Sequence, residues 1–127
     1  MTGDMGSFRT DIELENPARP GERRAVKAML VDTGAELSWV AAELLESLGV
    51  ERFRQLRFRS ATGEIVERWT GTAWVHAAGT RTSDEIVFGE QNDQSRLGAR
   101  TLEGLNVVVD PVSRRLVDAG AMPAAAA

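Results

Sequence analysis

Cysteine is absent from these 127 residues, and histidine occurs once, at His76. Without thiols there is neither a disulfide frame nor a thiolate nucleophile, and one isolated imidazole does not assemble a zinc set. No cofactor and no metal are therefore expected. Long apolar runs are missing too. No stretch approaches the roughly 20 residues of a membrane-spanning helix, and the opening MTGDMGSFRT lacks the basic and apolar regions of a signal peptide. No membrane association, and a cytoplasmic location, are the corresponding expectations. Nor is there a surplus of positive charge: the net charge is -4, with Arg and Glu intermingled along the chain. No basic stripe exists to neutralise phosphates, so nucleic-acid binding is disfavoured.

What remains is an ordinary globular composition, 43% hydrophobic and 27% charged, enough for one core and one domain. That domain is expected over 1–120, and the alanine-rich 121–127 is expected to be disordered. Alternation with a period of two dominates the chain. Phe8, Thr10, Ile12 and Leu14 alternate with polar residues, the pattern of a strand with one covered face. Asn16-Pro17 to Pro20-Gly21 marks a turn, and a second strand runs from about Arg23 towards Asp32. Leu44, Leu45 and Leu48 lie at helical spacing with Gly49 as a left-handed cap, which predicts a short helix over 41–48. Residues 52–59, the turn signal Ser60-Ala61-Thr62-Gly63 and residues 65–69 predict a hairpin. Further strands are expected at 70–77, 85–88, 107–109 and 116–117, with a polar loop at 90–95 and a second short helix at 99–105. About seven short strands with regular turns argue for an all-β barrel or sandwich. Short βαβ units are the competitor, disfavoured because most connections are shorter than the dozen residues of a parallel crossover.

One stretch stands out, KAMLVDTGAELSWV from Lys27 to Val40. An apolar run, Val26 and Ala28 to Val31, reads as a buried or half-buried strand and stops at Asp32-Thr33-Gly34-Ala35. An acid where a strand leaves the core, followed by a short hydroxyl residue and a glycine, is held by rigid backbone yet reachable by a ligand. Asp followed by Ser or Thr and then Gly arises by chance in roughly one chain of this size in twenty, so context has to carry the inference. A second feature, Arg96-Leu97-Gly98 followed by ARTLEGLNVVVDPVSRRLV, supplies it.

With both features in this order, the chain resembles the retropepsin-like aspartic proteases, single-lobed and of the bacterial type, across nearly its whole length. The resemblance implies a retropepsin-like acid-protease barrel with one or two short helices that works as a homodimer. It implies that Asp32 is the catalytic acid and that Thr33, Gly34 and Ala35 support its loop, Thr33 by hydrogen bonding across the dimer. Leu97 and Gly98 brace that loop. Gly34, Glu36, Thr62, Gly63, Glu64 and Ile65 are the implied substrate contacts, with the hairpin of Arg59 to Glu67 as a flap over an extended peptide. Two departures concern the bracing: Ala99 stands where viral members have an arginine, and Arg96 stands where an apolar residue is usual.

The chemistry follows from the residues themselves. Hydrolysing a peptide bond with no metal and no covalent nucleophile needs one group to take a proton from water and another to give one to the carbonyl oxygen. Two carboxyls about 3 Å apart cannot both ionise cheaply and share a proton, as aspartic proteases themselves illustrate. Asp4, Asp11, Asp84, Asp93, Asp110 and Asp118 are not followed by Ser or Thr and then Gly. The second carboxyl is therefore expected from a second copy of the chain, across an isologous interface. The substrate expected is a peptide or protein segment bound as a strand. Bland readings stand beside these: Asp32 as a turn acid, Gly63 as a turn glycine, Trp39, Trp69 and Trp74 as core, and Arg52, Arg54, Arg57 and Arg59 as a solvated strand face. The alternative function is a non-catalytic peptide-binding or dimerisation module on the same fold.

Overall fold

A computed structural model describes residues 8–125. Alternation builds most of it. Strands β1 (Arg9–Glu15) and β2 (Arg23–Val31) form an antiparallel pair, and the turn between them is the one expected from its prolines and glycine. The register slips between Thr10 and Ile12, where the Ala28 amide donates to Asp11 Oδ1 at 2.8 Å. This bulge breaks the alternation of β2, so Lys27 and Ala28 are exposed while Met29 and Val31 are buried.

A short strand, β3 (Ser38–Ala41), leads into helix α1 (Ala42–Ser47), which buries Leu45 completely and ends before Gly49 at φ +76°. Next come β4 (Arg54–Arg59), the long β5 (Ile65–Ala77) and β6 (Thr80–Gly89). Ala78 and Gly79, both at positive φ, make the tight turn between β5 and β6. The two strands expected at 65–69 and 70–77 are one. Nothing at Trp69 or Thr70 reverses the backbone; β5 changes partner instead, pairing with β4 over Ile65–Thr70 and with β6 from Thr70 onward.

Strand β7 (Arg96–Leu97), helix α2 (Ala99–Leu105) and the hairpin of β8 (Val107–Asp110) with β9 (Arg115–Asp118) complete the chain. Seven strands form one mixed sheet in the order β1-β2-β7-β3-β6-β5-β4, and β1 also pairs with β5. Two pairings are parallel, β2 with β7 and β3 with β6. They join strands far apart in sequence, so whole hairpins serve as the crossover and short local connections do not forbid them. Ile12, Leu14, Met29, Val40, Val75 and Ile86 belong to one core cluster, which α1 and α2 join through Leu45, Leu48, Leu102 and Leu105. No helix among the described residues is long and apolar enough to cross a membrane. Of the tail expected to be disordered, residues 121–125 are exposed and without regular structure, and 126–127 lie outside the described residues, as do 1–7 of the expected domain.

Candidate active site

β2 delivers Asp32 to the edge of the core. Val31 is buried and pairs with Leu97, while the Asp32 amide donates to the Leu97 carbonyl at 2.9 Å. Two turns then interlock. The Ala35 amide donates to the Asp32 carbonyl at 3.1 Å, closing the loop on itself. The Ala99 and Arg100 amides donate across to the carbonyls of Ala35 and Glu36 at 2.8 and 3.1 Å. Gly98 sits so close beneath that a Cβ there would lie 2.5 Å from the Leu37 carbonyl oxygen and 2.8 Å from that of Ala35. The expected association of the Asp32 loop with Leu97 and Gly98 is thus present in the folded chain, across more than sixty residues of sequence.

Buried hydroxyls lock the turn from behind. The Gly98 amide donates to Ser38 Oγ at 2.9 Å, Ser38 Oγ lies 2.6 Å from Thr101 Oγ1, and Thr101 Oγ1 donates to Asp84 Oδ2 at 2.7 Å. Each hydroxyl has one proton, so the chain runs in one direction, from Gly98 through Ser38 and Thr101 to the Asp84 carboxylate. Asp84 Oδ1 accepts the Glu85 amide at 2.7 Å and lies 3.7 Å from Arg100 Nη2. This path and the backbone bonds brace the turn. Ser38, Thr101 and Asp84 were not singled out in the sequence. Ser38 alone carries a signal, a polar side chain between the apolar Leu37 and Trp39; Thr101 and Asp84 each have a polar neighbour, and the proximity of Thr101 and Asp84 to Ser38 is long-range.

At the exposed end of this frame stands the Asp32 carboxylate, 28% exposed. Its Oδ1 accepts the Gly34 amide at 2.9 Å, and its Oδ2 accepts Arg96 Nη1 at 2.8 Å. Ion pairs of this exposure contribute about 1 kcal/mol or less, so this one can exchange partners readily. Thr33, Gly34 and Glu36 are exposed and Ala35 is half-buried.

The other predicted contacts, Thr62, Gly63, Glu64 and Ile65, lie apart from the loop at the exposed tip of the β4–β5 hairpin. The tip is held by its own turn: the Ser60 amide donates to the Glu64 carbonyl at 2.8 Å, and Gly63, at φ +91°, returns its amide to the Ser60 carbonyl at 2.9 Å. Residues 65–69 pair with β4 alone, so this end of the hairpin is a two-stranded arm. Trp39 of β3 meets Phe58 of β4 edge-on at 5.0 Å, linking the arm to the strand that follows the Asp32 loop. Trp69 on the arm is 40% exposed, whereas Trp74 carries the Arg81 guanidinium over its ring at 4.2 Å.

The arginines of 52–59 are less free than a solvated face implies. Arg54 makes two bonds of 2.7 Å to Glu85, and Arg52 reaches Glu46 at 2.9 Å. Arg54, with help from the Thr70 hydroxyl, pulls the Glu85 carboxyl down to about 2. His76 Nε2 lies 2.6 Å from Glu15 Oε1, and the Gly21 amide followed by His76 lowers the Glu15 carboxyl. A concavity of about 770 Å³ opens beside this pair, lined by Asp11, Arg23, Lys27, His76 and Arg81. Its charges are largely paired with one another, and none of the Asp32 loop lines it. Among the described residues no three His, Asp or Glu side chains are grouped to hold a metal ion. Comparison with family models and with curated proteins finds no match to this chain.

Proposed function

We propose that this protein is a retropepsin-like aspartic endopeptidase, a homodimer in an acid-protease barrel fold that cleaves cytoplasmic peptides or proteins. One observation carries the reading: a strand-end Asp32 is fixed by two interlocked turns and keeps its carboxylate partly exposed, 28% of it reachable by solvent. The two Asp32 carboxyls of the dimer share one proton and hold a water between them. The ionised carboxyl takes a proton from the water as its oxygen attacks the scissile carbonyl, and the protonated one gives its proton to the carbonyl oxygen. Collapse of the tetrahedral intermediate returns a proton to the leaving amine. Thr33 bonds across the dimer, Leu97 and Gly98 keep the loop in place, and the Gly34 carbonyl with Glu36 meets the substrate backbone. The arm bearing Thr62, Gly63, Glu64 and Ile65 closes over the peptide and excludes water.

The Arg96 contact to Asp32 favours a second reading, a peptide-binding or dimerisation module in which Asp32 is a permanent ion-pair partner. Hydrolysis of an unstructured peptide library at mildly acidic pH separates the two. Activity is expected to be blocked by statine inhibitors and lost in Asp32→Asn. Equal mixing of wild type with Asp32→Asn should leave about one quarter of the activity if subunits pair at random, against one half for independent monomers. Cleavage that survives Asp32→Asn, or a strict monomer in sedimentation at high concentration, removes the shared-carboxyl reading.

A further inference from the structure

The two oxygens of Asp32 have different occupants. Oδ1 is committed to the Gly34 amide, while Oδ2 is held by Arg96 Nη1 at 2.8 Å. A guanidinium only donates hydrogen bonds, so as long as it stays there it takes one of the two lone-pair sites of Oδ2. Hydrolysis by paired carboxyls needs that oxygen to hold water and exchange a proton. Accepting both the proton shared with the partner carboxyl and the water takes both sites, so Arg96 must be drawn aside for the reaction to start.

Its position says what can do so. Arg96 pairs with Leu30 on one side and with Trp39 on the other, and cross-strand partners present their side chains to one face. That face continues from Trp39 to Phe58, which pairs with Val66 towards the tip of the arm. The guanidinium, 37% exposed, thus stands next to Asp32 on the surface leading to the arm. Nearby acids of the chain are already engaged: Asp93 takes two bonds from Arg68, whose Nη1 lies 3.5 Å from Glu90. Asp32 offers Arg96 only one oxygen, whereas an incoming carboxylate offers two in the planar geometry a guanidinium fits best. An apolar side chain arriving in the same place would desolvate the existing ion pair without replacing it.

We infer that Arg96 is a specificity-determining residue that selects peptides with Asp or Glu beside the scissile bond, whose carboxylate takes the guanidinium from Asp32 and frees Oδ2. This rests on the endopeptidase reading. The substrate class is acidic peptide, and the acid both docks the substrate and releases the catalytic group.

Wild type, Arg96→Leu and Arg96→Glu are each given the same peptide mixture, with all residue types at the positions flanking the cut, and products are read by mass spectrometry. Wild type should prefer Asp and Glu over Asn and Gln by about tenfold in kcat/KM, the scale of one charge-assisted bond. Arg96→Leu should lose that preference and favour apolar residues. Arg96→Glu should turn it towards Lys and Arg. A preference that follows the sign of the introduced charge is not produced by a merely structural role. Equal cleavage of acids and amides by wild type, or an acidic preference that persists in Arg96→Leu, overturns the inference and leaves the hydrolase reading standing. Cleavage by Arg96→Leu alone overturns it as well, because Arg96 would then be a lock that acidic substrates do not open. No cleavage by any of the three removes the endopeptidase reading itself, and the inference with it.

Discussion

The Asp32 frame and the β4–β5 arm are both turns closed by a glycine, and they are held in opposite ways. Around Asp32, backbone bonds cross between segments sixty residues apart, and a buried chain of hydroxyls fixes the turn from behind. At the arm tip, the bonds between Ser60, Gly63 and Glu64 are local, and residues 65–69 have a single neighbouring strand. Gly98 is required for space and has an ordinary extended φ of -95°; Gly63 has φ +91° with nothing within 4 Å of where a Cβ would be. A frame tied across the fold holds a reacting group still, whereas a two-stranded ribbon is marginal by itself and can yield to a ligand. The division of labour proposed for hydrolysis, fixed acid and moving cover, has this physical basis.

The sharpest way to break the fixed side is Gly98→Ala. The added methyl meets two backbone carbonyls, neither of which can rotate away like a side chain. The expected loss is about 3 kcal/mol in denaturant unfolding, at the upper end for overpacking. A variant as stable as wild type would mean that the two turns are not in close register.

Next in size is the root of the arm, where Arg54 and Thr70 meet Glu85. The folded-state pKa of Glu85, about 2, lies below its usual 4.5. A lowered carboxyl pKa stabilises the fold above the unfolded value, and that contribution fades as pH falls from 4.5 towards 2. Glu85→Gln should cost about 2 kcal/mol at pH 7, as expected for lost charge-assisted bonds. The difference from wild type should shrink steadily as unfolding is measured from pH 5 down to pH 2.5. A gap that stays constant with pH would show that ionisation of Glu85 does not support the arm.

The strands and helices of this fold were legible where periodicity ran long enough to be counted. The alternation of 8–15, the leucines of 44–48 and the hairpin signal at 60–63 all mark elements that form. β3 and β7, of four and two residues, are too short to show a period. Their pairings, β3 with β6 and β2 with β7, depend on contacts between distant segments. Asp32, Leu97 and Gly98 were readable as one site only because two separated motifs occur in a fixed order. Arg96 was readable as a departure from that pattern, but its bond to Asp32 is a matter of side-chain direction, which spacing does not encode. Ser38, Thr101 and Asp84 were illegible for the same reason. The hydroxyl of Ser38, between Leu37 and Trp39, announces that it is buried but not which partner it reaches.

The smallest expected effect tests the yielding side. Gly63→Ala places a methyl in open space, so its cost is the backbone strain of a non-glycine residue at φ +91°, about 1 kcal/mol. Because the tip contributes nothing to the core cluster, that strain should be relieved by local opening of the turn before it reaches the rest of the fold. Amide exchange should quicken around Ser60 to Glu64, while the global unfolding midpoint moves far less than in Gly98→Ala. The same variant should lower hydrolysis of long peptides more than of short ones, since only a long peptide reaches the cover. If instead Gly63→Ala lowers the global midpoint as much as Gly98→Ala does, the arm is part of the cooperative core, and a cover that moves independently of the Asp32 frame is ruled out.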